Sequence, residues 1–163
     1  MRRILRSAAL VSLVAVLGAC YESPDPLGKV DSGRIDTRLS GGWRCMSPRE
    51  ALDAQATLWI IRFDDRQYYA EWREGDETTR YRAYSSLVNG ETILNVEEVT
   101  LRVPSVGWIF VRYSIDTDGR LKLSLVSDDA LGGLEGRAAL RSIANRVKDE
   151  ALYQEVAVCT REA

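Results

Sequence analysis

The sequence predicts a mainly β protein: a single closed antiparallel barrel of eight strands, with a short helix after the first strand and one long helix before the last. Three observations predict it. Runs rich in aromatic and β-branched residues recur at intervals of about ten residues, the spacing of an antiparallel sandwich or barrel. Several runs alternate between apolar and polar side chains, as strands with one buried and one wet face do. Two cysteines, Cys45 and Cys159, lie in the first and last of these runs, which become neighbours when an up-and-down sheet closes on itself.

The chain opens with Arg2, Arg3 and Arg6, followed by a run from Ala8 to Leu17 that is apolar apart from Ser12. About 20 apolar residues are needed to span a bilayer, so this run is too short for a membrane helix. It has the anatomy of a secretory signal: a charged start, a short apolar stretch and small residues at a cleavage point. That point is Leu17-Gly18-Ala19-Cys20, which resembles the lipobox of bacterial lipoproteins. The resemblance implies removal of residues 1–19 as a signal peptide and attachment of a diacylglyceryl thioether and an acyl chain to Cys20. A thiolate is a nucleophile suited to such alkylation, and several acyl chains anchor stably where one would bind only marginally. The plainer alternative is an ordinary signal peptide followed by a chance Cys. Tyr21 follows Cys20, where enteric relatives retained in the inner membrane carry Asp. By that analogy the expected location is the outer membrane, facing the periplasm.

Residues 20–38 contain two Pro, one Gly in Leu27-Gly28-Lys29, a second at Gly33, and few large apolar residues. They read as a flexible lipidated tether, and residues 39–163 as the barrel domain. Strands are expected at 41–46, 56–63, 67–73, 78–86, 91–99, 107–115, 120–127 and 153–160. Tyr68, Ala70 and Trp72 share one face of the third. Leu121, Leu123 and Leu125 share one face of the seventh. Asn89-Gly90 and Asp118-Gly119 supply the positive φ angles of tight hairpins. Ser47-Pro48-Arg49-Glu50 is a capping box with Pro at the first helical position, predicting a short helix over 48–54. After Gly136, the spacing of Leu140, Ile143, Ala144, Val147 and Ala151 predicts the long helix, packed on the sheet with a basic solvated side. A basic membrane-binding helix is the sharper alternative.

In an exported protein Cys45 and Cys159 are expected to form a disulfide; two free reactive thiols are the rival. Gly41-x-Trp43 at the start of the first strand resembles the opening motif of lipocalins and related calycin barrels. The resemblance implies that Trp43 closes one end of the barrel beneath an Arg from near the last strand, here Arg161. Lipocalins place their long helix after the eighth strand, whereas here it precedes the eighth.

The 163 residues contain no His. That excludes Ser-His-Asp and Cys-His catalytic units, HExxH zinc proteases and Cys2His2 fingers. Losing the leader removes three arginines, leaving 19 basic and 24 acidic side chains and a net charge of −5 on 144 residues. This balance argues against nucleic acid as a partner. Asp116-Thr117-Asp118-Gly119 lacks the remaining ligands of a calcium loop in register and reads as a hairpin turn. Gly132-Gly133-x-x-Gly136 lacks the Gly-Lys of a P-loop and reads as a helix entry. Glu97 and Glu98 point to opposite faces of a strand and cannot form a dyad. Carboxylates distant in sequence could still meet, so a hydrolase remains a third option.

The expectation is therefore a non-enzymatic protein with no cofactor and no metal. Its partners are the membrane, through Cys20, and an apolar or lipid-like ligand in the barrel. Tyr68, Trp72, Tyr81, Trp108 and Phe110 are the candidate lining residues; the rival account is that these aromatics only fill the core. The alternative function is binding of an envelope protein, as an inhibitor or accessory subunit.

Overall fold

The computed structural model describes residues 20–29, 34–48, 55–99 and 107–162. Eight strands form a closed barrel in simple sequential order, each antiparallel to the next, with the last paired to the first. They are β1 (Gly41–Met46), β2 (Gln55–Arg62), β3 (Gln67–Glu74), β4 (Glu77–Val88), β5 (Glu91–Glu98), β6 (Trp108–Ile115), β7 (Leu121–Val126) and β8 (Tyr153–Arg161). The architecture is consistent with the lipocalin-like barrel expected from the sequence. A bulge displaces the β7–β8 register after Leu123.

Between β7 and β8 lie α1 (Asp128–Leu131) and α2 (Gly136–Arg146), then a 3-10 helix at Glu150–Leu152. The long helix is shorter than the apolar spacing suggested, because the chain turns after Val147. Its buried line is Ala139, Ile143 and Val147, with Leu140 and Ala144 at the margin. Ala151, placed on the helix face by spacing, is exposed, and its neighbour Leu152 takes the buried position. Most of the helix expected over 48–54 lies outside the described residues, as does the leader 1–19.

The barrel has apolar side chains on both of its faces. The inner cluster includes Trp43, Leu58, Ile60, Tyr68, Val111 and Leu121. The outer cluster includes Val88, Ile93, Phe110 and Val126 from the strands, together with α2, Leu131, Leu152, Tyr21 and Leu27.

Tyr21 and Leu27 correct the expectation of a flexible tether. Tyr21, Ser23 and Leu27 are buried at 6%, 1% and 4% exposure. The segment starts at one end of the barrel, where Cys20 bridges to Ser127 and Ser23 to Trp108. It then runs along the outer face of β5 and β4. There the Leu27 N–H donates to Asn95 Oδ1 at 2.7 Å, and Ser86 Oγ donates to the Lys29 carbonyl at 3.1 Å. Asn95, fully buried, also donates to Ser86 Oγ at 3.0 Å. These pairings satisfy backbone groups that an unattached coil would leave to water. Pro- and Gly-rich composition suggested flexibility, but the buried Tyr and Leu decide the outcome.

Candidate functional site

The end of the barrel formed by the start of β1 is sealed. A 3-10 helix at Thr37–Leu39 lies across it, with Leu39 buried beneath. The fully buried Trp43 donates its indole N–H to the Leu39 carbonyl at 2.9 Å. The Arg161 guanidinium stacks on the Trp43 ring, 4.3 Å from its centroid. It also donates to the carbonyls of Ser40 (2.9 Å) and Arg38 (2.5 Å). Gly41 is required beside them. Its φ is +128°, and a Cβ there would sit 2.7 Å from Arg161 Nη1. Trp43 and Arg161 thus occupy the positions that the barrel-closing motif implied.

Asp36 completes the seal. Its backbone N–H donates to the Tyr68 hydroxyl at 2.5 Å, and its carboxylate accepts from Tyr113 Oη (3.1 Å) and from the Arg38 guanidinium. Hydrogen bonding to the Arg38 side chain holds the Asp36 carboxyl below its usual range. Burial, reinforced by the Asp36 charge, pushes the Tyr113 hydroxyl up.

Above this seal the barrel holds a cavity of about 240 Å³. Its wall comes from alternate residues of β2 to β8: Leu58 and Ile60, Tyr68, Ala70 and Trp72, Tyr81 and Ala83, Leu94 and Val96, Ile109 and Val111, Leu123 and Leu125, and Val156. The wall has no charged side chain; its polar atoms are the Tyr68 and Tyr81 hydroxyls and the Trp72 indole N–H, and that last group reaches Glu74 Oε2 at 3.4 Å. Leu39 and Tyr68 at the sealed end are buried, whereas Trp72, Tyr81, Val96 and Ile109 at the other end are half-buried. Among the described residues, the cavity is therefore least covered toward the ends of β3, β5 and β7.

Three of the five expected lining aromatics, Tyr68, Trp72 and Tyr81, line this cavity. Trp108 and Phe110 do not. They project from the outer face of β6, where Phe110 packs with Tyr21 and Trp108 sits edge-on to Tyr84. Both faces of β6 are covered, so Trp108-Ile109-Phe110-Val111 is apolar throughout and does not show its inward side by alternation. Ile109 and Val111 are the true lining residues. The phase of the neighbouring seventh strand, with its clean Leu121-Leu123-Leu125 alternation, was the signal that could have placed them.

Cys45 and Cys159 face each other across β1 and β8 and form a disulfide, with Cα atoms 3.9 Å apart. Cys20 is half-buried at the open end of the barrel. Among the described residues, no cluster of three or more His, Cys, Asp or Glu could hold a metal ion, and no helix is long and apolar enough to cross a membrane.

A second surface lies on the outer face of β1–β3. Trp59, Ile61 and Phe63 are 47%, 49% and 70% exposed. The Trp59 ring rests over Gly42, where a Cβ would approach it to 3.3 Å. Glu71 borders this patch. Hydrogen bonds from Arg73, Tyr69 and Arg80 depress its carboxyl to about 2, so it stays ionised beside the apolar side chains. No family model matches this chain, and no curated protein or solved structure is significantly similar to it.

Proposed function

We propose that this chain is a non-catalytic, lipid-anchored lipoprotein of the bacterial envelope, at the outer membrane and facing the periplasm, whose barrel holds the hydrocarbon part of a small apolar or lipid-like molecule. The anchor rests on the Leu17-Gly18-Ala19-Cys20 motif behind a secretory leader. The ligand reading rests on one observation, the 240 Å³ apolar cavity. An apolar cavity of about 150 Å³ stays dry and takes benzene, whereas drug-sized ligands occupy about 300 Å³ or more. A volume between these suits a stretch of acyl chain or one ring system. The Tyr68 and Tyr81 hydroxyls offer it little polar recognition, so affinity comes from area removed from water.

Displacement of a fluorescent fatty acid, together with native mass spectrometry of the protein extracted from membranes, tests this reading. Ala70→Phe and Ala83→Phe, each adding a ring to the cavity wall, should weaken binding at least tenfold while near-UV circular dichroism stays native-like. Absence of both a bound mass and displacement by the wild type would overturn it.

The exposed Trp59, Ile61 and Phe63 favour a second reading, a protein partner on the outer face. Single apolar side chains at a surface are ordinary, but a contiguous set is a recognised mark of an interface. Under that reading, Trp59→Ser with Phe63→Ser abolishes partner binding and leaves fatty-acid displacement unchanged.

A further inference from the structure

The docked N-terminal segment places Cys20 at one end of the barrel. Cys20 pairs with Ser127, the residue after β7, and Ser23 pairs with Trp108, the first residue of β6. Backbone hydrogen bonds fix both contacts: Tyr21 N–H to the Val126 carbonyl at 3.2 Å, and a reciprocal pair between Ser23 and Trp108 at 2.9 and 2.7 Å. All of these residues lie at the end where the cavity opens. A free tether of this length would let the domain wander roughly 25 Å from its anchor. Here Cys20 is joined to the barrel wall with no slack.

Two further observations bear on the same end. Tyr81, which lines the cavity, has its hydroxyl raised by burial first, then by Glu98, its partner across β4 and β5. Among the described residues the rim carries the exposed acids Glu22, Glu74, Asp76, Glu77 and Glu98, beside Arg73 and Arg80, which pair with Glu71. This net acidic set gains little from anionic headgroups, so the approach to a bilayer relies on the covalent lipid and suits a zwitterionic surface.

We propose that the open end of the barrel rests on the bilayer, held there by the lipid on Cys20, and that the cavity takes the acyl chain of a membrane lipid directly from that bilayer. The inference rests on both the anchor and the cavity readings above. The acyl chain attached to Cys20 itself has the same chemistry and is the competing occupant.

Intrinsic fluorescence separates these cases. The lipidated protein is reconstituted into zwitterionic phosphatidylcholine vesicles whose acyl chains carry bromine, a contact quencher of Trp. Trp72 lies in the cavity toward its open end, whereas Trp59 lies on the outer face. The expected result is strong quenching of the wild type, most of it lost in Trp72→Phe and none lost in Trp59→Phe. Quenching that survives in Trp72→Phe and vanishes in Trp59→Phe would overturn the orientation. Quenching confined to Trp108, shown by its loss in Trp108→Phe, would overturn lipid entry, as would a barrel already filled by the Cys20 acyl chain. A separate arm uses the unanchored Cys20→Ala protein with a brominated free fatty acid. Quenching of Trp72 there supports the cavity reading whatever the vesicles show; its absence removes that reading and this proposal together.

Discussion

Replacing both Cys45 and Cys159 with Ala isolates what the disulfide contributes. The bond spans 114 residues of chain. Releasing a loop of that length restores chain entropy to the unfolded state worth about 5 kcal/mol at 25 °C. The native seam does not depend on the bond alone. Around it β1 and β8 remain paired through Trp43–Arg161, Arg44–Thr160 and Met46–Val158, and Arg161 stays clamped on Trp43. The variant should therefore fold to the same barrel and lose stability mainly through its unfolded state. For a domain of this size the loss corresponds to a fall in Tm of roughly 10–20 °C. Guanidinium unfolding followed by far-UV circular dichroism and Trp fluorescence measures it. The denaturant slope should rise, because an unfolded chain without the cross-link exposes more surface. A fall of less than about 3 °C with an unchanged slope would refute the entropic argument. Loss of native-like near-UV signal would show that the seam itself needs the bond.

Other consequences are equally direct. Gly41→Ala forces a Cβ against Arg161 at a positive φ and should cost about 1–3 kcal/mol; Arg161→Ala should relieve part of that cost in a double-mutant cycle, and strict additivity would rule out the clash. Asn95→Ala leaves the Leu27 N–H without its acceptor, at about 1–3 kcal/mol. Hydrogen exchange should then accelerate over residues 21–29 while β3 stays protected; uniform acceleration would mean that the segment is not a separate unit. Asp36 has a depressed folded-state pKa, so its contribution is complete above its unfolded value near 3.8 and is lost as pH falls through the lower folded value. Asp36→Asn should start with a lower Tm at pH 7 and lose less of it between pH 5 and 2, and parallel melting curves would refute this. Burial raises the Tyr153 hydroxyl to about 12, so ultraviolet titration should show one late tyrosine fewer in Tyr153→Phe.

The strand pattern was legible because antiparallel strands with one wet face write their burial directly into alternation. Tyr68-Ala70-Trp72 and Leu121-Leu123-Leu125 point inward as that alternation requires. The disulfide was legible from the places of its two cysteines in the strand order, given the expectation of export. Trp108 and Phe110 were misplaced because the covering segment that buries their face comes from Tyr21 and Leu27, about 85 residues away along the chain. Nothing local in β6 reports that distant cover. The docking of residues 20–29 was hidden for the related reason that Pro, Gly and Asp also suit an irregular segment held by side-chain caps. Asn95 is the clue inside the strand: an amide at an outward position within an apolar run needs a partner, and the Leu27 backbone supplies it. The Gly41-x-Trp43 spacing pointed to the sealed end, but the roles of Asp36 and Tyr113 depend on a crossing of the barrel end that the sequence does not spell out.

The β1–β8 seam has a consequence for the order of events during biogenesis. β1 emerges first among the strands, yet one of its two neighbours is the last strand. At ordinary synthesis rates, the 114 residues separating Cys45 from Cys159 take roughly 6–23 s to appear. Throughout that interval one edge of β1 has no partner, and an unpaired strand edge is a template for intermolecular pairing. The same interval leaves the Cys45 thiol exposed to oxidants and to other thiols before Cys159 arrives. A nascent chain of this topology is therefore at its most vulnerable to aggregation and to mixed disulfides just before closure, and a chaperone or thiol reductant acting in that window would raise its yield.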